Sequence, residues 1–158
     1  MKGSPTQIIA DYTASAPVDL VGMITALGLK LQRDAGLPSD IAGKLQRDSN
    51  ASSGFRIVVN SNDNAGRQRF TLAHEIAHFV LHRDLLKDGL VDDALYRSAA
   101  LSDEYERQAD RFAAQILLPG HSVRAAYKVT RALAPLAAQF EVSVPALRIR
   151  LNELGLGA

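Results

Sequence analysis

The feature that most constrains this chain is an apolar stretch, residues 69–79, that carries two histidines and a glutamate. His74 and His78 are four residues apart, and Glu75 directly follows the first. Residues four apart share one face of an α-helix, so both imidazoles can present a ring nitrogen to the same metal ion. Glu75 points to the neighbouring side, within reach of a water on that metal. This is the H-E-x-x-H arrangement of zinc hydrolases.

The residues around the motif predict that its helix is buried. Most of the neighbouring positions are apolar: Phe70, Leu72, Ala73, Ile76, Ala77, Val80 and Leu81. An unpaired polar side chain in such a place costs roughly 1 to 3 kcal/mol. Metal coordination satisfies both histidines, and the simpler alternative is a pair of hydrogen-bonded core histidines in a chance match.

Composition limits the class of protein and the kind of metal site. The chain has 158 residues, the size of one typical domain, and its net charge of +1 does not indicate a nucleic-acid binder or a membrane-surface protein. It has no cysteine, so any metal must be held by imidazole and carboxylate. No segment looks like a signal peptide or a membrane span, and we expect a cytoplasmic protein.

Periodicity and turn residues predict an α+β fold in a single domain, 1–158, with a small three-stranded sheet packed on a pair of helices. The N-terminal part, 1–65, contains the predicted helices and strands of the sheet region: helices 6–14 and 18–27, and strands 29–33, 41–47 and 55–60. The metal-binding part, 66–119, contains the motif helix to about Arg83, a loop 84–100 and a helix 102–117. A C-terminal helical segment, 120–158, contains helices near 122–131, 133–140 and 144–154.

A catalytic zinc ion needs a third protein ligand beside the two histidines. His82 continues the same helical stripe, but it lies about 12 Å along the axis from His74. That is too far for the three rings to share one tetrahedral metal. We expect His82 to contact one of the metal ligands without binding the metal itself, or to be a cation near the helix C-terminus.

The second helix offers better donors in Glu106 and Asp110. They are four residues apart, and the small Ala109 and Ala113 beside them allow another helix to approach closely. One carboxylate can bind zinc while the other accepts the second N–H of a ligating imidazole, a role that suits Asp110. The alternative is that both are exposed charges balanced by neighbouring arginines.

The longer pattern resembles the ImmA/IrrE family of metallopeptidases. The resemblance is carried by residues 67–82, 106–119 and 142–156, and it covers nearly the whole chain. It implies a minimal zincin-like, gluzincin-like fold. It also implies His74, His78 and Glu106 as the ligands of one zinc ion per chain, with Glu75 as the catalytic acid and base and no other cofactor.

The family resemblance also implies a substrate. Characterised members cut helix-turn-helix repressors, so a zinc-dependent endopeptidase acting on such a repressor, or on an antitoxin-like partner, is expected, with no membrane partner. The chain departs from the family at Asp110, where Asn is usual. The same ligand types also accept manganese, cobalt or nickel.

Catalysis needs a proton carrier and a donor for the negative charge of the tetrahedral intermediate. Glu75 would take the proton of a zinc-activated water. Tyr96, His121 and Tyr127 are candidates for the donor by residue type only. If strand 55–60 lies at the edge of the sheet, it can receive an extended substrate as an added strand.

Residues 133–154 raise a competing class of function. Two short helices separated by a turn at 141–143 resemble a DNA-binding helix-turn-helix, with Arg148 and Arg150 as its positive charge. The apolar residues of the last helix fit a packing face equally well, and a phosphate-binding surface would be more basic, so we expect no direct nucleic-acid binding. A third hypothesis keeps the metal without catalysis, in a zinc-stabilised regulatory module.

Overall fold

A small mixed sheet and a long buried helix form the frame of the molecule. The computed structural model describes residues 3–87, 94–96 and 103–157. The elements in chain order are α1 Pro5–Tyr12, α2 Leu20–Ala26, β1 Lys30–Asp34, β2 Gly43–Arg47, β3 Phe55–Asn60, α3 Ala65–Lys87, β4 Ala94–Tyr96, α4 Asp103–Leu117, α5 Gly120–Val129, α6 Leu133–Phe140 and α7 Val144–Glu153. The predicted α+β class is confirmed, and none of the helices in the described ranges is long and apolar enough to cross a bilayer.

The three predicted strands are present, and β3 lies between the other two. The strand order is β1-β3-β2-β4, with β1 parallel and β2 antiparallel to β3. The expectation that β3 could be an edge strand is therefore wrong. The reason is visible in its consecutive apolar residues Ile57, Val58 and Val59, which are all buried, as in a strand covered on both faces.

The stretch predicted as a loop, 84–100, contains structure at two points. Helix α3 continues to Lys87, and β4 pairs antiparallel with the outer edge of β2 along Lys44, Leu45 and Gln46. The remainder of that stretch, 88–93 and 97–100, lies outside the described residues. Lys44, Leu45 and Gln46 of β2 therefore have a strand on both sides, β3 and β4.

The main core lies between the sheet and helices α2 and α3. Met23, Leu45, Ile57 and Ile76 are fully buried there. Helix α2 begins at Asp19, whose side chain accepts a hydrogen bond from the backbone N–H of Gly22 at 3.0 Å. The packing holds α3 rigidly against the sheet, with the face that carries the histidines turned towards α4.

The helix pair α6–α7 packs through apolar side chains. Phe140, Leu147 and Leu151 are buried, and Glu141 forms the turn between the helices with a left-handed backbone (φ 58°). Arg150 points inwards, and its Nε donates to the carbonyl of Leu118 at 2.8 Å. Arg150 is therefore not available for a phosphate backbone, and this pair packs as part of the domain.

Candidate metal centre

Helices α3 and α4 lie close together because α4 presents small residues to α3. Ala109 and Ala113 are completely buried. The first turn of α4 is acidic, with Asp103, Glu104 and Glu106, which suits the positive end of the helix dipole. The close approach brings the carboxylates of α4 to the histidine face of α3.

His74, His78 and Glu106 converge at this interface. One ligand atom from each residue lies within 4.8 Å of the other two. His74 Nε2 is 3.1 Å from Glu106 Oε1, and His78 Nε2 is 3.3 Å from Glu106 Oε2. Two ligands at 2.0 to 2.1 Å from a tetrahedral ion are about 3.4 Å apart. Two imidazole nitrogens and a carboxylate at this spacing fit a divalent transition metal.

Asp110 lies behind the first of these histidines. His74 Nδ1 donates to Asp110 Oδ1 at 2.9 Å, so the proton of a neutral His74 ring is held on Nδ1. Its Nε2 is then the nitrogen that can bind a metal, and the carboxylate makes the ring a stronger ligand. This is the role expected for Asp110 from its spacing to Glu106.

The metal-free cluster is held together by charge. Burial alone lowers the pKa of His74, but hydrogen bonds to Asp110 and Glu106 outweigh it and raise the pKa to about 9. Burial likewise raises the pKa of Glu106, but hydrogen bonds to the two histidines lower it to about 2. A protonated His74 beside an ionised Glu106 is the state that a divalent cation replaces, with release of the proton.

Glu75 lies beside the cluster in a small recess next to the start of β2. The recess has a volume of about 10 Å³, close to the space that one water needs, and is lined by Ala42, Gly43, Thr71, His74 and Glu75. The Glu75 side chain is buried. A carboxylate placed here can exchange a proton with a water next to the metal ligands.

Gly43 is a residue of this recess that the sequence reasoning missed. A Cβ built on it would lie 2.6 Å from Thr71 Cγ2 and 2.6 Å from the carbonyl oxygen of Val58. Only a glycine lets β2 come this close to α3, and the signal for it was a glycine inside a strand.

His82 contacts His78 through Nδ1, the ring nitrogen that does not face Glu106. Gln108, which contacts His82, is a second residue that the sequence reasoning missed. His82 Nδ1 is 2.9 Å from His78 Nδ1, and His82 Nε2 is 2.9 Å from Gln108 Oε1. Burial lowers the pKa of His82, and the charge of His78 lowers it further. The ring of Tyr105 covers His82 at a centroid distance of 4.9 Å. Nothing in the local sequence distinguishes Gln108 from a surface glutamine.

Two of the three candidates for the charge-stabilising donor, His121 and Tyr127, are not brought to the recess. His121 is exposed in the first turn of α5. Tyr127 lines a separate cavity with Leu133 and Leu151, and its ring lies under Arg131. The side chain of Tyr96 lies outside the described residues.

Comparison with known proteins decides the family. The profile of the IrrE N-terminal-like domain, Peptidase_M78, matches residues 26–152. This chain belongs to that family. The ImmA/IrrE resemblance expected from the sequence is confirmed, and the family is one of metallopeptidases.

Two sequence relatives and one solved structure are similar to parts of this chain. The radiation response metalloprotease IrrE of Deinococcus radiodurans is 39% identical over 103 residues, which are 61% of this chain and 30% of IrrE. The metallopeptidase ImmA of Bacillus subtilis is 28% identical over 115 residues, 72% of this chain and 64% of ImmA. A solved Mycobacterium tuberculosis transcriptional regulator shares the fold, with a TM-score of 0.60 at 19% identity, over 94% of this chain and 46% of the regulator.

The chain therefore spans less than two thirds of the length of each of these three proteins. The matched Peptidase_M78 region, 26–152, includes the whole of α3 and α4. The family match thus covers His74, His78 and Glu106, the three residues that could hold a metal ion.

Proposed function

We propose that this chain is a zinc-dependent endopeptidase whose metal is held by His74, His78 and Glu106. The observation that carries the proposal is the convergence of these three side chains, with their ligand atoms within 4.8 Å of one another, beside the buried carboxylate of Glu75. The membership of Peptidase_M78 supports it. Bound zinc supplies a Lewis acid that polarises the scissile carbonyl and acidifies a water.

The residues of the chain supply the positioning and the proton transfer. Asp110 holds the N–H of His74 on Nδ1, so that Nε2 faces the metal position. Glu75 takes a proton from the attacking water and later gives it to the leaving amine. Its position in the recess beside Gly43 places this carboxylate between the metal ligands and the start of β2.

The substrate needs a path to the candidate metal ligands. The recess beside β2 has room for about one water and is too small for a peptide. An open and mainly apolar groove of about 370 Å³ lies between α4 and α7, and its lining includes Phe70, Asp110 and Ile149. We propose that an extended peptide segment lies in this groove, with the bond to be cut near Asp110 and the adjacent His74.

We propose a helix-turn-helix repressor, or an antitoxin-like partner, as the protein substrate. The support is the family resemblance, together with the name of one relative, a radiation response metalloprotease. Cutting such a regulator would derepress the genes that it controls. The cytoplasm is where the protein would meet a DNA-bound regulator.

The test is to incubate zinc-loaded protein with a helix-turn-helix repressor encoded near its gene and to identify fragments by mass spectrometry. We expect one defined cut that a chelator abolishes. Glu75→Gln should bind zinc normally but cut at least about a hundredfold more slowly. The control Glu141→Gln changes an exposed glutamate in the same way and should cut normally.

Two results would overturn the proposal. Full cleavage by Glu75→Gln removes the proposed acid and base. A fourth protein ligand that closes the metal site, found in a zinc-loaded crystal, leaves no position for water and makes the chain a zinc-stabilised regulatory module.

A further inference from the structure

A chain of polar side chains leads away from His78 to the surface of α4. His78 Nδ1 is 2.9 Å from His82 Nδ1, and His82 Nε2 is 2.9 Å from Gln108 Oε1. The Gln108 amide nitrogen donates to Glu104 Oε2 at 3.3 Å. Arg107 donates to the other oxygen of Glu104 at 3.1 Å. Five side chains are therefore joined by four successive hydrogen bonds, beginning at the ring of His78, a proposed metal ligand.

The donors and acceptors of this chain can point in only one direction if His78 binds a metal. A neutral imidazole carries one N–H, and ligation through Nε2 requires that N–H on Nδ1. His82 Nδ1 must then accept it, so the neutral His82 ring carries its own N–H on Nε2. That N–H donates to Gln108, whose carbonyl oxygen accepts.

The opposite direction would block the site. If the amide NH₂ of Gln108 faced His82, then His82 Nε2 would have to accept, and the His82 proton would move to Nδ1. His78 Nδ1 would become the acceptor, and the His78 proton would move to Nε2, where the metal binds. The orientation of one amide thus determines which nitrogen of His78 is free.

Glu104 sets that orientation. An ionised carboxylate only accepts hydrogen bonds, so the amide nitrogen of Gln108 turns towards Glu104 and the carbonyl oxygen turns towards His82. Arg107 also contacts Glu104, at 3.1 Å. The half-buried position of Gln108 on α4, facing a buried His82, limits competition from water.

We infer that Gln108 is a positioning residue for the metal: held by Glu104, it fixes the N–H of His82 on Nε2 and thereby leaves Nε2 of His78 free to bind zinc. The inference rests on the proposed function, in which His78 is a ligand. It also distinguishes the two histidine ligands. His74 is oriented by a carboxylate in direct contact, and His78 is oriented through a second imidazole and an amide.

The experiment compares three substitutions of Gln108 by zinc affinity, measured in competition with a chromophoric chelator. Gln108→Glu can only accept from His82, but it would face the carboxylate of Glu104, so it is combined with Glu104→Gln, whose amide can donate to it. We expect the zinc affinity of this double variant to lie within about threefold of wild type. Gln108→Met removes the acceptor at similar size, and we expect a loss of about 10- to 100-fold. Gln108→Lys offers only donors to His82 and should lose at least as much as Gln108→Met.

The second readout is the tautomer of each ring, from long-range ¹H–¹⁵N correlation spectra of zinc-free and zinc-loaded protein. In zinc-loaded wild type we expect the N–H of His82 on Nε2 and that of His78 on Nδ1. Gln108→Lys should move the proton of His82 to Nδ1. A residue with only a packing role would not change these assignments.

Gln115→Met is the matched control, because Gln115 is exposed on the same helix, and it should leave zinc affinity and tautomers unchanged. Thermal unfolding checks that each variant is folded. The inference is overturned if Gln108→Met binds zinc like wild type, if the Glu104→Gln, Gln108→Glu double variant and Gln108→Met lose affinity equally, or if His82 of zinc-loaded wild type carries its N–H on Nδ1. If wild type binds no zinc at His78, the proposed function fails first, whereas unchanged affinity in the Gln108 variants of a zinc-binding protein overturns this inference alone.

Discussion

The helix pairs α3–α4 and α6–α7 both bury groups that can carry charge, but they satisfy them differently. In α6–α7, Arg150 donates to the carbonyl of Leu118 at 2.8 Å and to Glu153 at 3.2 Å, and both partners belong to the local packing. In α3–α4, His74 and His78 both turn Nε2 towards the carboxylate of Glu106. The Nδ1 atom of His74 contacts Asp110, and the Nδ1 atom of His78 contacts His82.

The difference separates a structural polar group from a candidate site. A buried arginine that donates to a backbone carbonyl and to a nearby carboxylate stabilises the fold. Ring nitrogens and carboxylate oxygens that face one another at tetrahedral spacing form a place for a cation. Both pairs suggested a function from sequence, and only α3–α4 has the geometry for one.

Removal of Glu106, the candidate metal ligand on α4, should have the largest effect. It tests whether the α3–α4 pair forms a metal site. Glu106→Ala takes away one of three ligands, and we expect zinc affinity to fall on the order of a thousandfold. Competition with a chelator measures it. Asp103→Ala, an exposed acid in the same first turn, should stay near wild type. A loss below tenfold for Glu106→Ala would show that the two histidines bind zinc without α4.

The next largest effect should be the change with pH in the free energy of unfolding, measured without metal. The pKa of His74 is about 9 when folded and 6.5 when unperturbed, so protonation favours the folded state. This contribution is fully present below pH 6.5 and is lost as pH rises through 9. It amounts to about 3 kcal/mol at most.

Urea unfolding of chelator-treated protein at several pH values measures this loss. Glu106 is the other half of the same interaction, and its pKa of about 2 places the matching loss at acidic pH, below 4.5. His74→Gln removes the titrating ring and should flatten the stability profile between pH 6.5 and 9. If both proteins show the same profile, His74 is not the group responsible.

Arg150→Met tests whether the polar contacts of the α6–α7 pair are structural. It removes hydrogen bonds of a buried charged group, and we expect the free energy of unfolding to fall by about 2 kcal/mol with zinc affinity unchanged. Arg148→Met, at an exposed position of the same helix, should change stability by less than about 0.5 kcal/mol. Weaker zinc binding in Arg150→Met would mean that the two helix pairs are coupled.

Asp110→Asn should have the smallest effect. The Asn carbonyl can still accept the N–H of His74, so only the charge is lost, and we expect zinc affinity to fall less than tenfold. Asp110→Leu cannot accept and should lose more. Equal losses in the two variants, by calorimetry or chelator competition, would show that Asp110 does not act by holding the proton of His74.

Much of the candidate site was accessible from sequence because spacing along a helix is local geometry. The i, i+4 relation placed His74 with His78 and Glu106 with Asp110, and composition limited the ligands to imidazole and carboxylate. The three strands were predictable for a similar reason. The strands that flank β3 could not be predicted, because the local sequence of a strand does not show which strands pair with it. Only the uninterrupted apolar run at 57–59 indicated a central strand.

What the sequence by itself determined is a buried helix with two imidazoles on one face and a second helix able to present a carboxylate. Tertiary structure decided which groups meet: His74 and Asp110 are 36 positions apart and bond only because buried alanines let α3 and α4 approach. It also turned Arg150 inwards and placed Gln108 behind His82. Periodicity fixes positions within one element, whereas distances between elements depend on packing that no local pattern encodes.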